Sequence, residues 1–324
     1  MSVHNMKTLY KFLPYWSLFL LFVVFAVTAP NFLSPQNLAA VLRQSSVITI
    51  MAIGMTFVIV AGAIDLSVGS LMALSAIFGT MVLASLSAGG TGGWISIAAA
   101  LLVSMAAGVA GGWLNGFTTS ALSLPSFIVT LGTLGIFRGL ALYVTNGIPV
   151  VDLPRSFGWL AEGEIFGIIP IPVVILALVA LLFTVVLRKT RLGRYAFAIG
   201  SNPDAALYSG IRVSRYRTLC FVLLGGLAGL AGMIEAARLI TGQPTAGEGY
   251  ELRVIAAVVI GGGSLSGGEG SIAGTIVGSF IMGILSNGSN LLGISPFVQQ
   301  IVIGLVIILA VAVDNYQRMR KIGG

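Results

Sequence analysis

Neutral hydrogen-bonding side chains recur at helical spacing in two apolar segments of this sequence. Four residues at i, i+4, i+7 and i+11 share one helical face in the first segment, namely Ser126, Thr130, Thr133 and Phe137. A similar stripe in a later segment includes Ser286 and Asn290. Such faces offer weak, replaceable hydrogen bonds and could line the pathway of an uncharged polyhydroxylated solute. Hydrogen bonding between helices, worth about 0.6 to 2 kcal/mol a pair, is an equally good interpretation.

The sequence lacks the residue pairs on which most hydrolytic enzymes depend. Its one histidine is His4 and its one cysteine is Cys220, so neither a nucleophile with a histidine base nor a buried histidine metal site can be assembled. None of its lysines lies in a G-x-x-x-x-G-K-[ST] phosphate loop. We therefore expect no catalytic residue and no metal site, and any ATP that drives the protein must bind another chain.

Asp65 stands at a break between two apolar segments. An aspartate there can cap the free amides of a helix that begins at Leu66. The alternative is a contact with an ion or a substrate, since ionisable residues inside membrane segments cost a few kcal/mol and are usually functional. That alternative would make the protein a secondary active transporter that uses Asp65 for ion coupling.

The longest polar stretch, residues 188–217, contains the sharpest local signals. Asn202, Pro203 and Asp204 follow a run of basic residues and a glycine. Proline favours the first turn of a helix, and aspartate stabilises the exposed amides of that turn. The segment from Asp204 to Gly210 therefore predicts a short helix closed by a glycine. Such a surface helix either docks on a cytosolic partner or is a simple connector.

Only a membrane-embedded protein fits the overall composition. Of the 324 residues 57% are hydrophobic and 8% are charged, whereas soluble domains average about 25% charged residues. Ten apolar segments follow one another, at about 13–29, 46–62, 66–86, 94–121, 126–144, 169–187, 218–234, 255–263, 272–285 and 296–313. Because a span needs about 20 residues, we expect an all-α, polytopic transmembrane helical bundle of about ten spans.

The placement of the basic residues predicts how the chain is threaded. With a cytoplasmic amino terminus, twelve of the seventeen fall inside, namely Lys7, Lys11, Arg188, Lys189, Arg191, Arg194, Arg212, Arg215, Arg217, Arg318, Arg320 and Lys321. Four fall outside, namely Arg43, Arg155, Arg238 and Arg253, and Arg138 lies near the outer end of a segment, where it can snorkel. This bias obeys the positive-inside rule and places both termini in the cytoplasm. The net charge of +7 is thus a topology signal beside anionic lipid, and no nucleic acid partner is expected.

Glycines at four-residue intervals mark helix faces that can pack closely. They are Gly108, Gly112 and Gly116, then Gly225 and Gly229, then Gly274 and Gly278. Small residues at this spacing let helix backbones approach each other in lipid. They predict a tight bundle and are compatible with a dimer.

Four stretches, in order along nearly the whole chain, carry a resemblance to one family. They read GAIDLSVGS (62–70), LPSFIVTLGT (124–133), TRLGRYAFAIGSNPD (190–204) and QPTAGEGYEL (243–252). In these stretches the chain resembles the membrane permeases of bacterial ABC importers for simple sugars. It departs from the family at Ala63, where glycine is common, and we expect little consequence.

The resemblance implies one transmembrane permease domain over residues 1–324, multi-pass in the bacterial inner membrane, that is not itself an enzyme. It implies four partners: a second permease copy in a homodimer, membrane lipid, a cytosolic ABC ATPase, and a periplasmic or lipid-anchored sugar-binding protein. This chain would hold no cofactor, because ATP and magnesium would bind the ATPase. The solute would be a simple sugar such as a ribose-like monosaccharide.

Two sets of residues receive roles from the resemblance. The coupling loop at 188–217 would contact the ATPase through Gly193, Arg194, Asn202, Pro203, Asp204, Ala205, Ala206 and Gly210. The outer arginines would receive acidic patches of the binding protein, and they are Arg43, Arg155, Arg238 and Arg253.

Overall fold

A computed structural model describes the backbone of residues 3–91 and 93–322 and the side chains of residues 13–91, 93–309 and 311–312. The side chains of the basic residues in the two tails lie outside the described ones, and they are Lys7, Lys11, Arg318, Arg320 and Lys321. The prediction of an all-α protein is confirmed. Over the described backbone, the only strands are a two-residue antiparallel pair, β1 (Glu164–Ile165) with β2 (Ile169–Pro170).

Helices occur at each of the ten apolar segments, and short elements occupy the two polar loops. The helices at the apolar segments are α1 (Val3–Thr28), α2 (Pro35–Val60), α3 (Val68–Ala88), α4 (Trp94–Ala121), α5 (Ser126–Thr145), α7 (Ile171–Lys189), α10 (Val213–Leu239), α11 (Tyr250–Ile260), α12 (Ile272–Leu291) and α13 (Pro296–Ile322). The loop after α5 holds a 3₁₀ turn (Arg155–Gly158) and α6 (Trp159–Glu162), and the loop after α7 holds α8 (Arg191–Ser201) and α9 (Pro203–Tyr208).

Seven helices within the described residues are long and apolar enough to cross a membrane, namely α2, α3, α4, α5, α7, α10 and α12. The apolar parts of α1 and α13 are shorter, at residues 13–28 and 296–309. The eighth predicted segment is the 11-residue α11, and a helix of that length rises only about 16 Å, about half of a bilayer core. The figure of about ten spans and the cytoplasmic placement of the termini therefore stay predictions.

The loop before α11 runs along α3. The loop and the short helix together therefore extend further than α11 alone. Gly242 lies against the Thr80 side chain, and Gly247 lies against the Gly69 carbonyl. Gly69 and Thr80 are separated by about 16 Å along α3, at 1.5 Å per residue. Arg138 holds the loop in place, because its guanidinium donates to the Pro244 carbonyl and, at 2.9 Å, to the Ala246 carbonyl. Arg138 is partly buried and its head group bonds the backbone of this loop, and its expected snorkelling stays a prediction.

The α2 helix forms the centre of the bundle. Every residue from 45 to 60 is buried, and α10, α12, α11 and α7 pack around it. A helix that is apolar on all sides can lie in the core of a bundle or face lipid, and α2 lies in the core.

Glycines bring α4 and α10 into backbone contact, as their spacing predicts. A methyl group at Gly112 would overlap the Phe221 carbonyl, and one at Gly108 would overlap the Gly225 carbonyl. The Ser104 hydroxyl donates to the Gly229 carbonyl at 2.9 Å across the same interface. The prediction of close helix packing is therefore confirmed, and this glycine face meets a helix of the same chain.

The third glycine pair packs α12 against α11 in the same way. A methyl group at Gly274 would overlap the Gly261 carbonyl, and one at Gly278 would overlap the Ala257 carbonyl. The short α11 is thus held against α12 by direct backbone contact.

Substitution of Gly112 tests the contact between α4 and α10. Gly112→Ala should lower the free energy of unfolding by about 1–3 kcal/mol, because the added methyl group forces the two backbones apart. Thermal unfolding in detergent measures this. Gly304→Ala on α13 is the matched control, because nothing in the described chain lies within 4 Å of its added methyl group. Equal melting temperatures for the two variants would contradict this account of the interface.

Candidate functional site

Asp65 organises the extended segment 61–67 between α2 and α3. Its Oδ1 accepts hydrogen bonds from the Ser67 backbone N–H and from the Ser67 hydroxyl, both at 2.7 Å. An aspartate that bonds the backbone two residues on forms a turn of its own. The helix therefore begins at Val68 and not at Leu66 as predicted, with Ser67 at the N-cap position.

Asn115 of α4 completes this cluster, and sequence reasoning missed it. Its Nδ2 donates to Asp65 Oδ2 at 3.1 Å and to Ser67 Oγ at 2.8 Å. All three residues are fully buried. Within the described residues Asp65 has no ion pair, and no group of three or more His, Cys, Asp or Glu side chains could hold a metal ion. A single asparagine in an apolar helix was the available signal.

The stripe on α5 does lie on one face, and that face packs inside the chain. Ser126 Oγ accepts from the Ile64 backbone N–H at 3.0 Å, and the Thr130 hydroxyl donates to the Ser126 carbonyl at 2.9 Å. Thr133 is buried, and Phe137 packs in an apolar cluster with residues of α3. These contacts hold α5 against the segment 61–67, and a role in the pathway stays a prediction.

The second stripe meets a glutamine that the sequence reasoning did not select. Gln299 of α13 is buried, and its Nε2 donates to Asn290 Oδ1 at 2.7 Å. The Ser286 hydroxyl donates to Gln299 Oε1 at 3.3 Å. This polar cluster joins the ends of α12 and α13, next to the turn between them.

Two of the four outer arginines are paired within the chain. Arg43 of α2 lies 3.2 Å from the Glu162 carboxylate and 2.7 Å from that of Glu164, which fastens the loop after α5 onto α2. Arg238 lies 2.6 Å from Glu235, whose carboxylate also accepts from the Tyr250 hydroxyl at 3.3 Å. The structure thus gives these arginines internal partners, whatever they contact outside.

The other two outer arginines differ in their surroundings. Arg253 stacks over the ring of Tyr250, with its Cζ 5.8 Å from the ring centre. Arg155 is exposed at the start of the 3₁₀ turn and forms no ion pair with the residues that the structure describes. Of the four, Arg155 is the one whose charge is open to a partner.

The predicted short helix in the loop 188–217 is present as α9, and its role in coupling stays a prediction. Asn202 Oδ1 caps it by accepting from the Ala205 N–H at 2.9 Å, Pro203 occupies its first position, and Gly210 follows it with a positive φ of 81°. Ala206 is its one buried residue, while Tyr208 is 90% exposed. The helix therefore presents most of its surface to the outside.

The preceding helix α8 is anchored to the bundle by its apolar face. Gly193, Ala196, Ile199 and Gly200 are its buried residues, and a methyl group at Gly193 would overlap the Leu187 carbonyl. Arg194 bonds locally, because its Nη1 donates to the Lys189 carbonyl at 3.1 Å.

The carboxyl end of α8 touches two helix breaks at once. Gly200 lies against the Val60 carbonyl at the end of α2 and against the backbone of Gly268 in the loop after α11. The Gly268 N–H donates to the Val60 carbonyl at 2.9 Å, which joins the two breaks directly. A displacement of α8 would therefore reach α2, α3, α11 and α12 together.

Comparison with known proteins agrees with this architecture. Residues 37–311 match the family model described as the branched-chain amino acid transport system / permease component. The chain is 44% identical to the ribose import permease of Bacillus subtilis over 315 residues, 97% of this chain and 95% of that protein. It is 45% identical to the ribose import permease of Escherichia coli K12, over 92% of each chain, and 36% identical to the D-allose transport system permease of the same strain, over 94% and 91%. No solved structure matches the chain.

The apolar helices and the permease family together mark the chain as an integral membrane protein. The match over most of its length decides the family: the chain belongs to the permease components of ABC importers, among which are the import permeases for simple sugars.

Proposed function

We propose that this chain forms the membrane pathway of an importer for a ribose-like monosaccharide in the bacterial inner membrane. The observation that carries the proposal is the 44–45% identity to ribose import permeases over more than nine-tenths of each chain. The buried hydroxyl and amide groups of α5, α12 and α13 agree with an uncharged solute, because they offer neutral hydrogen bonds and no fixed charge.

In this proposal a cytosolic ABC ATPase, which binds ATP and magnesium, docks on α9. Exposed apolar groups on α9, Leu207 and Tyr208, would supply the contact, and Asn202, Pro203, Asp204 and Ala205 would shape it. Movement of the ATPase would pass through α8 to the two helix breaks at Gly200. The ATPase would supply the chemical energy, and the helices of this chain would move to open and close the pathway.

We further propose that two copies of the chain form a homodimer and share the pathway, with lipid around them. On α5 the face opposite Thr130 carries Gly132, Gly135 and Gly139, and nothing in the described chain lies within 4 Å of a methyl group at any of them. Small residues at this spacing permit close approach of another helix in lipid.

The source of energy is the decisive test of the proposed function. Uptake of ribose into vesicles that hold the whole complex should stop when ATP is depleted while the sodium and proton gradients are kept. Continued uptake without ATP would contradict the proposal and favour a secondary transporter.

Substitution of Asp65 separates a positioning role from ion coupling. Asp65→Asn should preserve stability and uptake. The new amide oxygen can still accept from Ser67. The Asn115 amide can rotate so that its Oδ1, which has no partner, accepts from the new amide N–H. Asp65→Ala should lower the free energy of unfolding by about 1–3 kcal/mol, since buried donors lose their acceptor. Uptake and thermal unfolding are measured for both variants. A stable Asp65→Asn variant without uptake would show that the charge itself is used.

Substitution of Tyr208 tests the docking of the ATPase. Tyr208→Ala should weaken binding of the ATPase about tenfold, as loss of an aromatic contact at an interface typically does. Titration of the reconstituted permease with the ATPase measures this. Phe166→Ala is the matched control, because Phe166 is equally exposed, at 91%, in the loop after α5. Docking on α9 would be contradicted if both variants weakened ATPase binding equally, or if neither weakened it.

Charge reversal at Arg155 tests the docking of the binding protein. Arg155→Glu should weaken binding of the sugar-loaded binding protein, most strongly at low salt, because rim charges act through screened attraction. Arg215→Glu, an exposed arginine at the start of α10, makes the same change of charge at the other end of the molecule and should leave that affinity unchanged. An unchanged affinity in Arg155→Glu would remove Arg155 from the docking surface.

A further inference from the structure

A small cavity with a mixed apolar and polar lining lies between α2, α11 and α12. Its volume is about 20 Å³, and its polar lining comes from Gln44, Ser45, Arg253, Ser279 and Ser286. A space of about one water-sized probe holds a single oxygen atom with its hydrogens. Gln44, Arg253 and Ser286 are partly exposed, so the cavity communicates with the surface.

Ser45 gives this cavity an unsatisfied hydrogen-bonding group. Its side chain is 1% exposed, and its hydroxyl has no hydrogen-bond partner. The neighbouring hydroxyls of α2 behave differently: Ser46 donates to the Leu42 carbonyl at 2.7 Å, and Thr49 donates to the Ser45 carbonyl at 2.6 Å. Buried hydroxyls are usually bonded, and an oxygen atom placed in the cavity could satisfy Ser45.

The packing of α12 shows where the Ser45 hydroxyl points. A methyl group at Gly283 would overlap Ser45 Oγ. The hydroxyl is therefore packed against Gly283 of α12, beside the cavity that both residues line, and the glycine leaves the room that it needs. Ser279 and Ser286 on the same helix already donate elsewhere, to the Thr275 carbonyl and to Gln299.

Arg253 of α11 also lines the cavity. It lies in the first turns of α11, stacks on Tyr250, and forms no ion pair with any residue in the described parts of the chain. A guanidinium has five N–H donors in a planar fork. The residues around the cavity thus include a guanidinium donor and a neutral hydroxyl that can donate and accept, and an alcohol oxygen can bond to both kinds of group.

We propose that this cavity is a hydroxyl subsite, which binds one hydroxyl group of the sugar during its passage. The inference rests on the proposed function, because it takes the solute to be a sugar. Ser45 Oγ and the Arg253 guanidinium would share the sugar oxygen. Between sugars a water molecule of the same size takes its place.

Paired serine variants test the subsite. Ser45→Ala removes the unsatisfied hydroxyl, and Ser75→Ala is the matched control, because Ser75 is also a fully buried serine without a hydrogen-bond partner but does not line the cavity. Neither variant should melt below the wild type. Initial uptake of ribose at saturating loaded binding protein should fall about three- to tenfold in Ser45→Ala, the effect of one lost hydrogen bond, and stay unchanged in Ser75→Ala.

Deoxy sugars provide a second test of the subsite. They distinguish failure of the subsite from failure of the proposed function. In the wild type, one of the 2-, 3- and 5-deoxyribose analogues should be taken up about three- to tenfold more slowly than ribose, and that difference should vanish in Ser45→Ala. Wild-type rates in Ser45→Ala would overturn the subsite and leave only a structural water there. Failure of the wild-type complex to take up ribose would instead overturn the proposed function. If Ser45→Ala melts at a lower temperature than the wild type, Ser45→Cys is used instead. It keeps the shape of the side chain with a weak donor, and the same loss of uptake is expected.

Discussion

Backbone contact at glycines is the constraint on which the rest of this bundle depends. Between apolar helices in lipid there is little hydrophobic driving force, so close packing and hydrogen bonds hold them together. The glycines of α4 and α10 bring two backbones together and let the Ser104 hydroxyl reach a main-chain carbonyl. Because α10 also packs on α2 and α3, this contact sets the position of the central helices.

The non-helical segments between the helices are positioned by these central helices. The segment 61–67 is held by Asp65, Ser67 and Asn115, and α11 is held by the glycines of α12. The segment 61–67 and the loop after α11 both lie against Gly200 of α8, where no side chain separates the backbones. The loop helix α8 is thereby connected to both irregular segments, as the proposed docking of an ATPase on the adjacent α9 requires.

Local patterns in the sequence predict local structure well. The spacing of Ser126, Thr130 and Thr133 correctly places them on one helical face, and Asn202, Pro203 and Gly210 correctly bound the helix α9. Periodicity cannot say what such a face meets. The α5 stripe packs against the segment 61–67, and Arg43 pairs with glutamates 119 and 121 residues away in sequence. Asn115, Gln299 and Ser45 were missed because single polar residues carry no periodic signal.

The rate of ATP hydrolysis tests the central claim most directly. The complex would be reconstituted from this permease, its ATPase and its binding protein, and hydrolysis would be followed with the binding protein empty and loaded with ribose. If this chain couples sugar delivery to a partner's ATP, the loaded binding protein raises the rate above that of the empty one. If no sugar-loaded binding protein changes the rate, the claim of coupling through this chain is contradicted.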